Sequence, residues 1–211
     1  MAALLSNLRN TVIAGFVLAL VILLIFIWAV TSAGGTWYFP EIFWAFIVRW
    51  CHIICGVMWI GLLWYFNFVQ TPTMPKIPDE LKKGVSGYIA PEALFWFRWG
   101  AMGTIVFGII LAQLNGYLLN AYTLDALENF ASPRVLLIGI GMWFGTIMWF
   151  NVWFIIWPNQ QKVLNLNGKG AGITPEAKAA AAKAAGQFSR VNTLLSFPML
   201  FCMAAATHLF Q

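Results

Sequence analysis

Charged residues are scarce in this chain of 211 residues, making up only 9% of it, whereas an average soluble domain carries about 25%. Hydrophobic residues reach 61%, well above the roughly 45–50% usual in soluble proteins. This composition excludes an ordinary water-soluble globular protein and predicts a polytopic membrane protein embedded in a lipid bilayer. The net charge of +5 comes mostly from segments between the apolar runs. Membrane topology explains that charge more simply than a nucleic acid partner does.

Motifs for several kinds of chemistry are missing as well. The sequence has no phosphate-binding glycine loop, no dinucleotide fingerprint and no HExxH metal-binding motif. No aspartate or glutamate lies in the middle of an apolar run, which argues against proton pumping. The three cysteines, Cys51, Cys55 and Cys202, lie inside apolar segments and lack the CxxCH order of a heme attachment site. We predict that they serve as small hydrophobic side chains.

Five apolar segments have about the 20 residues that a bilayer-spanning helix needs. They predict an all-α bundle of five transmembrane helices in a single domain, residues 1–211, with spans at approximately 11–33, 41–70, 94–120, 134–157 and 189–209. The first segment is too long for the apolar part of a signal peptide. Four prolines predict a loop at 71–93, and Pro158 is expected to end the fourth helix. Thr174 and Pro175 suit the first positions of a polar helix at 175–186.

The cations between these segments predict the orientation. With five spans, the N-terminus and the segments 71–93 and 158–190 fall on one side of the membrane. That side holds nine cations: Arg9, Lys76, Lys82, Lys83, Lys162, Lys169, Lys178, Lys183 and Arg190. The other side holds Glu41, Asp125 and Glu128, with Arg134 as its one cation. The positive-inside rule then predicts a cytoplasmic N-terminus and a periplasmic C-terminus in a bacterial inner membrane.

The two histidines of the chain are the candidate cofactor ligands. His52 lies about eleven residues into the second span and His208 lies near the end of the fifth, so both fall in the outer half of the membrane. Their predicted depths differ by very roughly 5–10 Å. A heme b needs two axial ligands from facing helices, and imidazole is a usual choice. Arg49, one turn outward from His52, could pair with a heme propionate.

Simpler interpretations of these residues remain open. His52 could hydrogen-bond a backbone carbonyl or a hydroxyl inside the bundle, and His208 could be an interfacial residue. Arg49 could be a cation that extends its head towards the membrane surface. The polar residues Asn151, Asn159 and Asn192 could hydrogen-bond between helices.

Four stretches, taken together and in order, resemble one protein family. They are Arg49-Trp50-Cys51-His52 with Gly56-Val57-Met58-Trp59-Ile60-Gly61; Ala90-Pro91-Glu92 with Phe97-Arg98-Trp99; Gly145-Thr146-Ile147-Met148 with the run from Asn151 to Gln160; and Ser189 to Phe201 with His208. These stretches cover the second to fifth helices. They resemble the membrane domain of the bacterial cytochrome-c-linked urate oxidases, the urate oxidase N-terminal family.

The resemblance implies a membrane-embedded oxidase domain that passes electrons to a cytochrome c. The family's motif histidines correspond to His52 and His208, which would place both on a heme iron. Because the sequence shows no cytochrome c segment, we expect the electron acceptor to be a separate periplasmic c-type cytochrome. The chain would then be an oxidoreductase subunit.

Two other hypotheses stay open at this point. The chain could be a non-catalytic accessory subunit of a larger respiratory or photosynthetic membrane complex, in which its glycine-rich and aromatic faces only pack against partners. It could also be a porphyrin-handling enzyme similar to the short membrane protoporphyrinogen oxidases, which use a transmembrane histidine. A spectrum of bound heme would separate the accessory role from the other two.

Overall fold

The computed structural model describes residues 5–35 and 41–209, and these residues contain helices and no strand. Five helices are long and apolar enough to cross a membrane: α1 (Leu8–Ser32), α2 (Ile42–Lys76), α3 (Asp79–Leu114), α4 (Pro133–Val163) and α5 (Pro175–His208). The predicted all-α class and the number of candidate spans are therefore confirmed. Several helix bounds differ from the prediction, and each difference has a physical cause.

The chain divides into two units, one up to Trp44 and one from Ala45 onward. The first contains α1, which begins where the Asn7 side chain accepts hydrogen bonds from the backbone N–H groups of Arg9 and Asn10 at 3.0 and 3.4 Å. None of the α1 residues is buried. The helix is apolar around its whole circumference, as expected for a segment surrounded by acyl chains.

The second unit is a bundle of α2 to α5 around one apolar core. Every one of these four helices contributes to it, with Trp59, Ile60, Leu63, Leu94, Phe97, Ala101, Met148, Val152, Ile156 and Met199 as its buried members. Glycines let the helices approach closely. A side chain at Gly141 would meet Cys202 and Met203 of α5, and one at Gly100 would meet the backbone of Trp59. Both contacts place a glycine between two helices, as is common where membrane helices pack closely.

Prolines do not interrupt the helices where the sequence predicts a break. The expected loop at 71–93 is almost entirely helical, with its turn at Ile77 and Pro78, and α4 continues past Pro158 to Val163. In three places a wide π-helical turn ends two residues before a proline: Tyr65–Gln70 before Pro72, Val85–Ile89 before Pro91, and Asn151–Ile156 before Pro158.

The wide turns explain how the prolines are accommodated. The residue just before each proline donates its N–H to a carbonyl five positions back, as Trp157 does to Val152. Because the hydrogen bonds shift by one residue, the carbonyl with which the proline ring would otherwise clash moves aside. No carbonyl is then left unpaired by the N–H that proline lacks. The prediction that these prolines end helices is therefore wrong.

Two further bounds differ. The third helix, predicted to reach residue 120, ends at Leu114 because Gly116 adopts the left-handed conformation (φ +74°) that closes a helix C-terminus. A short helix, Leu118–Tyr122, follows. The predicted polar helix at 175–186 and the span at 189–209 form one continuous helix, α5. The alanine- and lysine-rich run before it has strong helix propensity, and nothing after it stops propagation.

Candidate functional site

His52 projects from α2 onto α3. Its Nδ1 lies 2.8 Å from the backbone carbonyl oxygen of Thr104. A side chain at Gly108, one turn further along α3, would come within 3.0 Å of the imidazole Cε1. The imidazole therefore fits against a stretch of α3 that is open because Gly108 has no side chain.

The hydrogen bond to Thr104 decides which ring nitrogen carries the proton. A carbonyl oxygen can only accept, so Nδ1 must be the donor of this bond. In the neutral imidazole the other nitrogen, Nε2, then has a free lone pair. A histidine that ligates a metal characteristically donates its other ring N–H to a carbonyl or carboxylate, which fixes the ring and raises the basicity of the ligating nitrogen.

Helices α2 and α3 approach each other closely at two positions that lie nearer the middle of α2 than His52 does. A side chain at Gly103 would collide with the Cys55 sulfur at 2.7 Å, and one at Gly100 would approach the Trp59 nitrogen to 3.2 Å. This close contact brings α2 near enough to α3 for the imidazole to reach a backbone carbonyl. The sequence points to His52, but it does not show that Thr104 is the partner of the imidazole or that Gly108 makes room for it. The small-residue pattern of α3 was the signal that an approach on this side is possible.

The register between α2 and α5 comes from two side-chain hydrogen bonds. Trp64 Nε1 donates to Ser196 Oγ at 3.0 Å, and Asn67 Nδ2 donates to Ser189 Oγ at 2.8 Å. As residue numbers rise along α2 they fall along α5, so the helices are antiparallel. The Trp64 ring also stacks on Phe197, with centroids 5.3 Å apart.

This register places the two histidines at similar levels. His52 precedes Trp64 by 12 residues, and His208 follows Ser196 by 12 residues. At 1.5 Å per residue, both lie about 18 Å from the Trp64–Ser196 bond and in the same direction along the bundle. The register therefore indicates a smaller difference in depth between the two histidines than we expected from the sequence.

The two imidazoles nevertheless occupy different faces. At 3.6 residues per turn, His208 lies about 120° around α5 from Ser196, whose hydroxyl marks the side towards α2. His208 is exposed at the end of α5, whereas His52 is half-buried against α3. The His52 imidazole is thus oriented and has a free Nε2. The His208 imidazole lies at the same level, but no hydrogen bond within the described residues orients it.

Arg49 belongs to a cationic group at this end of the bundle. It lies one turn from His52 and is exposed. Tyr117, just beyond the end of α3, interacts electrostatically with both Arg49 and Arg134. Burial raises the pKa of the Tyr117 hydroxyl, and the two guanidinium groups oppose that rise. Sequence reasoning did not connect Arg134 or Tyr117 with Arg49, because their proximity depends on how the chain turns between α3 and α4.

Other polar residues have structural partners. Asn151 donates to the Asn192 side chain at 2.8 Å, and Asn192 donates to the Met148 carbonyl at 2.9 Å, which joins α4 to α5 inside the core. The predicted hydrogen bonding between helices is confirmed for this pair but is wrong for Asn159, which donates to the Ile155 carbonyl of its own helix at 2.8 Å. Within residues 5–35 and 41–209, no three His, Cys, Asp or Glu side chains come together in a way that could hold a metal ion. The three cysteines are free thiols.

Comparison with known proteins bears on the part of the chain from the end of α3 to the end of α5. Residues 117–210 match the family model described as urate oxidase N-terminal. For residues 117–210, this match confirms the family resemblance read from the sequence. The match covers less than half of the chain and includes His208, while His52, Thr104 and Arg49 lie before it. No curated protein and no solved structure matches the chain.

Proposed function

We propose that this chain is a membrane-embedded heme b redox protein that passes electrons to a separate periplasmic c-type cytochrome. The observation that carries the proposal is the hydrogen bond from His52 Nδ1 to the Thr104 carbonyl, which leaves Nε2 free as a ligand. The similarity of residues 117–210 to the urate oxidase N-terminal family supports a redox role.

The residues at this end of the bundle suit different parts of such a cofactor. His52 Nε2 would hold the heme iron, and Thr104 would hold the His52 ring in position. The His208 imidazole would be the second ligand, which would require the end of α5 to rotate from the orientation described above. Arg49, one turn from His52, would pair with a propionate as a charged donor. A bound heme would supply one-electron oxidation and reduction. The apolar core that begins at Trp59 lies between His52 and the other end of the bundle.

His208→Ala is expected to remove one axial ligand and convert the bound heme from low spin to high spin. The chain has only two histidines, so no other imidazole can replace His208. The measurement is the absorption spectrum of the purified variant beside that of Thr207→Ala. Thr207 is also exposed in the last turn of α5, and its hydroxyl bonds only to its own helix, at Met203. An unchanged low-spin spectrum in His208→Ala would remove His208 from the site.

We also propose an orientation of the chain in the membrane. The cationic segments that join α2 to α3 and α4 to α5 would face the cytoplasm, and the end of α5 would face the periplasm. Alkaline phosphatase folds into an active enzyme only in the periplasm, so a fusion after residue 211 should be active. A fusion in the turn at Ile77 and Pro78 is the matched control and should be inactive. The reverse pattern of activities would contradict this topology.

An accessory role in a larger membrane complex is the alternative. The feature that favours it is α1, in which no residue is buried although the helix is apolar on every side. Extraction in a mild detergent followed by native electrophoresis distinguishes the accessory role from the redox role proposed above. A heme-free chain in one large complex would support the accessory role, and a heme-containing chain that migrates alone would exclude it.

A further inference from the structure

Arg98 lies in an aromatic setting that the proposed redox site does not use. Its guanidinium carbon lies 3.7 Å from the centroid of the Trp157 ring, in a stacking position. The rings of Trp153 and Phe95 follow at 5.7 and 5.8 Å. Stacking on an aromatic face leaves the N–H groups in the guanidinium plane free to bind two oxygens of one anion.

No group in the described part of the chain satisfies these donors. Arg98 Nη1 is shut off from solvent without a hydrogen-bond partner, and so is the nearby Trp153 Nε1. The one ion pair among the described residues joins Lys82 to Asp79. Glu92, the acid closest to Arg98 in sequence, accepts from Trp96. Unpaired N–H donors are costly in an apolar environment, so the arrangement favours an acceptor from outside the chain.

The position of Arg98 along the bundle indicates which acceptor. Trp157 is the last residue of the apolar run of α4, and the next residues, Pro158 to Lys162, are polar. The guanidinium is therefore at the boundary between apolar and polar residues, at the end of the bundle that carries the lysine-rich segments. Tryptophan and arginine side chains at this boundary meet phospholipid headgroups. A carboxylate from a partner subunit has no comparable support in the sequence or the contacts.

We propose that Arg98, with Trp153 and Trp157, binds the phosphate group of an anionic phospholipid. The guanidinium, which is only half-buried, stacks on Trp157 and donates to the phosphate oxygens through its accessible N–H groups. This site lies near the opposite end of the bundle from His52. It would hold the lipid whether or not the chain binds heme.

The test measures lipid retention by the full-length protein. Wild type and Arg98→Gln are placed in nanodiscs of phosphatidylcholine with added phosphatidylglycerol, extracted into detergent, and analysed by native mass spectrometry. We expect wild type to retain phosphatidylglycerol and Arg98→Gln to retain it about tenfold less. That ratio corresponds to the loss of one charge-assisted hydrogen bond. Lys83→Gln, which removes an exposed charge from the same end of the bundle, is the control and should retain as much lipid as wild type.

Two further variants keep the test decisive if Arg98→Gln folds poorly. Arg98→Lys retains the charge but loses the planar fork, and Trp157→Leu removes the ring on which the guanidinium stacks, so each should retain less phosphatidylglycerol than wild type. Inorganic phosphate added during extraction shows whether a free anion occupies the site instead, because it would then displace the lipid. Equal lipid retention by wild type and all three variants would overturn the proposal, as would displacement by inorganic phosphate.

Discussion

Gly139→Ala is expected to lower the midpoint of thermal unfolding by roughly 2–12 °C. A Cβ atom at this position of α4 would overlap the backbone carbonyl oxygen of Ala121 and would lie 3.2 Å from a methyl group of Leu124. The carbonyl cannot move freely, because it accepts the hydrogen bond from Leu124 N–H that forms the turn after the short helix. Overpacking of this kind costs about 1–3 kcal/mol, and each kcal/mol lowers the midpoint by about 2–4 °C in a chain of this size.

The matched control for that prediction is Gly61→Ala in α2. No atom lies within 4 Å of the position that its Cβ would take. The change should be neutral or stabilising by about 0.5–1 kcal/mol, because alanine loses less conformational freedom than glycine in a helix. Near-UV circular dichroism of the detergent-solubilised proteins follows the unfolding of the tryptophan-rich core. If both variants unfold at the wild-type temperature, α4 does not pack on Ala121 as described.

The number and approximate positions of the helices could be predicted from hydropathy alone, but their continuity could not. Pro72, Pro91 and Pro158 each indicate a helix end when read as single residues. Each instead follows a wide turn whose hydrogen bonds run five residues back. Such turns have no clear sequence signature. Proline in an apolar sequence is therefore a weaker signal for a helix end than in a soluble protein.

The candidate site could be predicted in part. His52 is conspicuous because an ionisable residue in an apolar run is costly and usually functional. Its partner is a backbone carbonyl, Thr104, and any residue type could supply that group. Sequence reasoning left open whether His52 meets a carbonyl or a cofactor, and the two are compatible, because Nδ1 meets the carbonyl and Nε2 stays free. The facing directions of His52 and His208 depend on helix rotation, which hydropathy does not specify.

His52→Ala is expected to abolish heme binding. Of the two histidines, His52 alone is oriented by a hydrogen bond between helices, so its removal eliminates the preorganised ligand. Loss of bound heme, measured as heme per chain after purification, should be nearly complete. Free imidazole can enter the space left by the side chain, so adding it should restore part of the low-spin spectrum. A structural role for His52 would not produce that rescue.

Cys51→Ala is the matched control for this variant. Cys51 is next to His52 on α2, is similarly half-buried and is a free thiol. It should bind heme as wild type does, which separates ligand loss from a general disturbance of α2. If His52→Ala retains the wild-type heme content and spectrum, His52 is not an axial ligand. Its hydrogen bond to Thr104 would then serve only to join α2 to α3.

The most direct test of the central claim is the reduced-minus-oxidised absorption spectrum of the wild-type protein, with heme quantified per chain. The protein should be expressed in cells supplied with heme and purified in mild detergent. The account predicts a low-spin b-type spectrum and about one heme per chain, reducible and reoxidisable by a c-type cytochrome. A folded protein that contains no heme under these conditions would contradict it, and an accessory role in a larger complex would then be the better account.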